Sequence, residues 1–162
     1  MSKKEKGEPM DPKEIVRLMD SGQWMIRFSN DGVAHGGFRW APVGEWTVAP
    51  DWRATPECGC GLRGQSPLAA GHCQPGTRME LCETSVQVSI GGDKVKCQKA
   101  KIIAVNSDIP LIFITTLLAN GGSLYLRGYA HALPEGFTSV GGSLYLEGYA
   151  HADALKKRLG RS

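Results

Sequence analysis

Three of the chain's five cysteines fall in one irregular, glycine-rich stretch, residues 51–74, as Cys58-Gly59-Cys60-Gly61 and then Gly71-His72-Cys73. Cys82 follows on the next segment. Sulfur ligands and an imidazole from such a loop can close a tetrahedral shell, so Cys58, Cys60, Cys73 or His72, and Cys82 are the candidate metal set and zinc the candidate cofactor. The Cys-x-Cys spacing departs from the usual Cys-x2-Cys knuckle, and no second pair completes that signature. The alternative for the same residues is packing as small apolar thiols. A second chemistry uses the same loop. A Cys58 or Cys60 thiolate brought by the fold beside His35 or His72 would be a nucleophile with its base, making the chain an enzyme or toxin. The run Gly59-Cys60-Gly61-Leu62-Arg63-Gly64 is glycine-rich but matches no phosphate-binding loop. Neither a metallohydrolase helix nor a nucleophile elbow is present, and no catalytic residue is assigned.

Recognition chemistry is concentrated near the C-terminus. Gly-Gly-Ser-Leu-Tyr-Leu-Arg-Gly-Tyr-Ala-His-Ala, beginning at Gly121, returns at Gly141 with one change, Arg127 to Glu147. Leu124 and Leu126 alternate with Tyr125 and Arg127, the period of a strand with leucines inward and Tyr125 and Arg127 outward. Leu133-Pro134-Glu135-Gly136 then turns the chain. One strand and one irregular return in twenty residues is the size of a solenoid coil. Stacked coils bring Tyr125 beside Tyr145, Tyr129 beside Tyr149 and His131 beside His151. Arg127 falls beside Glu147, so the single change turns a like-charge neighbour into an opposite one, worth about 0.2–1 kcal/mol. Tyr125, Arg127, Tyr129, Tyr145, Glu147 and Tyr149 thus form a candidate partner-binding face, with Arg63 and Arg53 of the cysteine-rich region beside it; tyrosine and arginine are enriched at binding hot spots. The competing expectation is that the tyrosines are half-buried strand residues.

These residues need elements to hold them. Residues 2–8 are a lysine- and glutamate-rich tail within a mobile segment 1–10. Asp11-Pro12 opens a helix, with Asp11 as N-cap and Gly22 as stop, and Ile15, Val16, Leu18 and Met19 as its apolar side. Strands follow: Trp24, Ile26 and Phe28 alternate, Ser29-Asn30-Asp31-Gly32 is a hairpin turn, and residues 33–40 and 45–48 read as further strands. Trp40, Trp46 and Trp52 are expected to pack a small β core. Residues 78–90 and 94–105 read as strands joined at Gly91-Gly92-Asp93. Together 11–105 form an antiparallel-rich α+β module. Residues 106–152 form the solenoid, whose missing support comes from residues 101–120, with the apolar runs 102–105 and 110–118, read as a degenerate first coil or docking strands. Residues 153–162 are a capping helix and tail, with Asp153 as N-cap and Gly160 as stop.

Forty-one per cent apolar residues give a core, and a net charge of +3 is too small to demand a nucleic-acid partner. The basic cluster Lys156-Lys157-Arg158 leaves zinc-stabilised nucleic-acid binding as a further alternative. The polar start, residues 1–9, resembles no signal peptide, so a cytoplasm, the cell's own or a host's, and reduced cysteines are expected, with no membrane partner.

The repeat resembles the short bacterial leucine-rich repeats, without their usual asparagine. Gly37-Phe38-Arg39-Trp40, Ala49-Pro50-Asp51-Trp52, Cys58-Gly59-x-Gly61-Leu62 and Asp93-Lys94-Val95-Lys96 resemble an uncharacterised bacterial and phage family with a Cys-Gly-x-Gly-Leu-His core. Cys60 occupies the family's variable position and Arg63 stands where its histidine would be. The family resemblance implies no established activity. The ladder face makes a small non-catalytic protein that docks on a bacterial protein or complex the expected function, and the resemblance to mobile-element proteins implies as its specific form a phage-encoded inhibitor of a bacterial defence system, of the anti-CRISPR kind.

Overall fold

The computed structural model describes residues 10–34, 37–57, 60–71, 76–119, 124–126, 129, 133, 144–146 and 148–160. The fold is α+β. Helix α1 (Pro12–Ser21) leads into β1 (Trp24–Ser29), β2 (Trp46–Val48), β3 (Leu62–Gly64), β4 (Arg78–Thr84), β5 (Val88–Ile90), β6 (Lys94–Cys97) and β7 (Lys99–Val105). A single 3-10 turn precedes α2 (Leu111–Ala119). The short strands β8 (Leu124–Tyr125) and β9 (Leu144–Tyr145) and helix α3 (Ala152–Arg158) complete the order.

Helix α1 begins and ends where its sequence says. The Asp11 side chain accepts from the Lys13 N–H, Pro12 occupies the first turn, and Gly22 ends the helix in the left-handed region at φ 68°. Ile15, Leu18 and Met19 share the face that packs inward, whereas Val16, about 100° round from Ile15, is exposed.

A four-stranded antiparallel sheet runs β1-β4-β7-β2, and a three-stranded one runs β3-β6-β5. The two are joined twice. Backbone N–H groups of Ile26 and Gln65 donate to each other's carbonyls, both at 2.8 Å. The hairpin predicted around Gly91-Gly92 is also shared: its outer halves pair as β4 with β7 and its inner halves as β5 with β6. Because side chains alternate, Met25, Cys82 and Ile102 of the first sheet pack against Val95 and Cys97 of the second. Trp24, Ile26, Phe28 and Leu81 face the other way, onto Leu18 of α1 and Phe113, Ile114, Leu117 and Leu118 of α2. Trp24 meets Phe113 edge-on, with ring centroids 5.0 Å apart.

Several expectations are corrected. The run 110–118 is a helix rather than a coil or strands. Its β-branched residues favour a strand, but Phe113, Ile114, Leu117 and Leu118 recur at helical spacing and all are buried; burial against the sheet outweighs propensity. Among the described residues of the span 33–40, isolated bridges, Val33 to Asn30 and Val33 to Arg39, stand where a strand was expected. The tight turn before them is as read, with Asp31 at φ 52° and Gly32 at φ 88°. Trp40 is buried and Trp52 partly so, but Trp46 lies on the surface. Helix α3 has His151, not Asp153, at its N-cap, and Gly160 does adopt the left-handed stop.

One close approach fixes how β1 leaves the sheet. A Cβ on Gly76 would lie 2.6 Å from the Ser29 carbonyl oxygen and 2.7 Å from its nitrogen, both backbone atoms that cannot swing away. Gly76→Ala is therefore expected to cost about 1–3 kcal/mol as overpacking, read as a lower urea midpoint at unchanged slope.

Candidate functional site

The repeat strands are the first place to look for a working surface. β8 and β9 pair in parallel with Leu124 opposite Leu144 and Tyr125 opposite Tyr145, the register expected from the sequence. The backbone closes the same turn in each copy: Tyr129 N–H donates to the Leu126 carbonyl and Tyr149 N–H to the Leu146 carbonyl. Leu126 is buried in the cluster that holds Trp24 and Phe113, so the repeat packs directly on the α+β module.

The tyrosines divide by position. Tyr129 and Tyr149 lie buried with their rings stacked, centroids 6.2 Å apart at 22°. Tyr129 also meets Phe28 edge-on at 5.7 Å. Burial is the main cause that raises both phenols above their usual range. These two rings, read from sequence as part of an outward patch, belong to the core. Tyr145 by contrast is 41% exposed. Tyr125 is described by its backbone alone, and Arg127, Glu147 and His131 lie outside the described residues. Helix α3 closes over this region: Leu155 is buried in the same cluster, and Arg158 donates to the Leu133 carbonyl at 3.4 Å.

The cysteine-rich region sits on the second sheet. Cys58, His72 and Cys73 lie outside the described residues, as does His35. Cys60 is partly exposed at φ 56°, and its carbonyl accepts from the Arg53 N–H at 3.0 Å, closing the loop. Cys82, expected as a ligand from the loop, is instead buried between the sheets, since β4 alternation turns it inward beside Met25 and Ile102. Among the described residues no group of three or more His, Cys, Asp or Glu is placed to hold a metal.

Beneath the loop lies a buried lysine, Lys96. It stands opposite Arg63 in the β3–β6 register and its residue is 0% exposed. Its ammonium donates to Thr55 Oγ1 at 3.4 Å and lies 5.7 Å from the Trp52 ring centroid. Gly61 leaves room for this stem, since a Cβ there would come within 3.2 Å of it. Arg63 is thus a member of a basic pair under the loop.

Burial raises the Cys97 thiol to about 12 and carries Cys82 well above its ordinary value. The folded state keeps both protons longer than the unfolded state does. Their contribution to stability is full below the unfolded thiol value of 9.0 and is lost as pH climbs toward the folded values. Stability should therefore fall with rising pH through the alkaline range. In native protein, iodoacetamide should label Cys60 while sparing Cys82 and Cys97 until denaturant is added, as peptide mass spectrometry would show.

No helix among the described residues is long and apolar enough to cross a membrane. Comparison with protein-family models, curated proteins and solved structures gives no match.

Proposed function

We propose that the protein is a small non-catalytic binding protein that docks on another protein through the face of its paired repeat strands. The observation that carries this reading is the division among the tyrosines. Tyr129 and Tyr149 serve the core, while Tyr145, in register with Tyr125, leaves a large amphipathic ring in solvent on a rigid, hydrogen-bonded support. A partly exposed tyrosine offers a large amphipathic contact of the kind enriched at binding hot spots. The parallel pairing and the turn repeated in both copies support a short leucine-rich-like solenoid as the scaffold of this face. In its specific form the partner is a bacterial protein or complex and the chain a mobile-element inhibitor of a defence system, a reading supported by the Cys-Gly-x-Gly-Leu resemblance.

The test is capture from bacterial lysate followed by mass spectrometry, with a Tyr125→Ala/Tyr145→Ala variant in parallel. A stoichiometric partner kept by wild type and by Cys58→Ser, but lost by the tyrosine variant, is the expected result. A partner held equally by the tyrosine variant and released by Cys58→Ser would move the function to the cysteine-rich loop.

A further inference from the structure

The first sheet ends in an uncovered edge whose chemistry the repeat strands do not use. In the β2–β7 register Trp46 stands opposite Lys101 and Val48 opposite Lys99. Thr47 between them points into the second core. Trp46, Val48, Lys99 and Lys101 therefore share the opposite face. Ile103, next in the same β7 row, packs against the helix-side core, so this is the helix side of the sheet, beyond the reach of the helices. Its border is marked by Glu83, which accepts from Arg17 of α1 and lies 3.8 Å from the Lys101 ammonium.

The patch is apolar and cationic at once. Trp46 is 43% exposed and Val48 54%. The ammonium groups of Lys99 and Lys101 lie 5.4 and 5.1 Å from the centroid of the Trp46 ring. Glu83 offsets Lys101 in part, whereas Lys99 makes no ion pair with a described residue. An exposed indole flanked by two cations is complementary to a ligand that carries a flat apolar ring and negative charge together.

We propose that this edge binds single-stranded nucleic acid, with a base stacked on Trp46 and neighbouring phosphates on Lys99 and Lys101. Three features favour a nucleic-acid strand over an acidic peptide. The ring is the centre of the patch, and the carboxylates of an acidic peptide supply no aromatic ring to stack on it. Lysine over an exposed indole is a weaker contact than a stacked base, so the base displaces the ammonium groups from the ring toward the phosphates. Lys99 and Lys101 are two residues apart on one strand, about 6.8 Å along it, comparable to the separation of neighbouring phosphates in an extended single strand. Duplex DNA keeps its bases stacked inside and cannot use the indole.

The test is a fluorescence-anisotropy titration of labelled oligothymidine at low salt, with duplex DNA and polyglutamate as competitors. Oligothymidine should bind and outcompete both. The affinity should fall with salt at a log–log slope of about −1.4, that of two phosphates on a single strand. Trp46→Ala should weaken binding about tenfold or more, with Trp46→Phe retaining most of it. Lys99→Gln/Lys101→Gln should remove most of the salt dependence. Unchanged circular dichroism would show these surface variants folded. Absence of binding at low salt overturns the proposal. So does binding indifferent to Trp46→Ala, which would point to Lys156, Lys157 and Arg158 of α3. Displacement by polyglutamate as effective as by oligothymidine would make the ligand an acidic peptide instead.

Discussion

Glu80→Ala should cost about 3–5 kcal/mol, the largest stability loss expected of any single charge removal in the chain. Glu80 is 0% exposed in the middle of β4, directly opposite Arg27 on β1. Its two oxygens accept from Arg27 Nη1, from Ser29 Oγ at 2.6 Å and from Arg78 Nε at 2.8 Å. Arg27 is itself buried, with its guanidinium 3.9 Å from the centroid of the Trp40 ring. Deleting the carboxylate leaves a guanidinium between an indole and a sheet with no anion to answer it. Arg78 is less costly to strand, because it retains access to water. A domain of this size is held by roughly 5–15 kcal/mol, so the loss is about a fifth of the total or more. The measurement is urea unfolding at constant slope. Glu80→Gln should cost less, since the amide keeps an acceptor for Ser29. Arg27→Met/Glu80→Leu should recover most of the loss, because apolar side chains of similar volume need no partner. A Glu80→Ala variant within about 1 kcal/mol of wild type would mean that water reaches Arg27, and that the pair is a surface pair in energetic terms.

None of this network was legible in the sequence, and the reason is physical. Trp-Met-Ile-Arg-Phe-Ser reads as one apolar face and one polar face, as for a sheet with a wet side. Both faces of β1 are in fact buried, because the second sheet covers the one that carries Met25, Arg27 and Ser29. Lys96 was hidden for a similar reason: alternation with Val95 and Cys97 turns it outward, and only the distant loop around Trp52 covers it. Local signals were read well where they are local in cause. Asp11 caps through its own side chain, Gly22 and the Asp31-Gly32 turn act through their own backbone, and the hairpin at Gly91-Gly92 is set by its turn. Helix α2 was misread because short apolar runs look alike in either period, and its i, i+1, i+4, i+5 pattern was outweighed by isoleucine and threonine. For the repeat, exact duplication supplied the register of β8 on β9 directly. It could not supply which tyrosine faces out, since that depends on the turn after Leu126 and on Phe28 of a strand about a hundred residues earlier.

That turn lets stability and recognition be separated by two substitutions in one repeat. Tyr129→Ala removes a ring that is 4% exposed, stacked on Tyr149 and edge-on to Phe28, and should cost about 3–5 kcal/mol. Its stacking partner should respond with it: a double-mutant cycle with Tyr149→Ala is expected to show about 0.5–1.5 kcal/mol of coupling. Tyr145→Ala removes a ring that is 41% exposed and should cost less, about 1 kcal/mol. Binding should show the reverse order. If the exposed ring is a hot spot, Tyr145→Ala loses about 2 kcal/mol or more of affinity for the captured partner, about thirtyfold in Kd. Tyr129→Ala, measured where it is still folded, should bind nearly as wild type, because the lost ring never reaches the partner. The two tyrosines share a residue type and a repeat, so composition and net charge cancel from the comparison. Equal stability losses from both would mean that Tyr145 is part of the core and that the repeat presents no ring to a partner. Equal affinities from both would leave the scaffold intact and remove the strand face as its working surface.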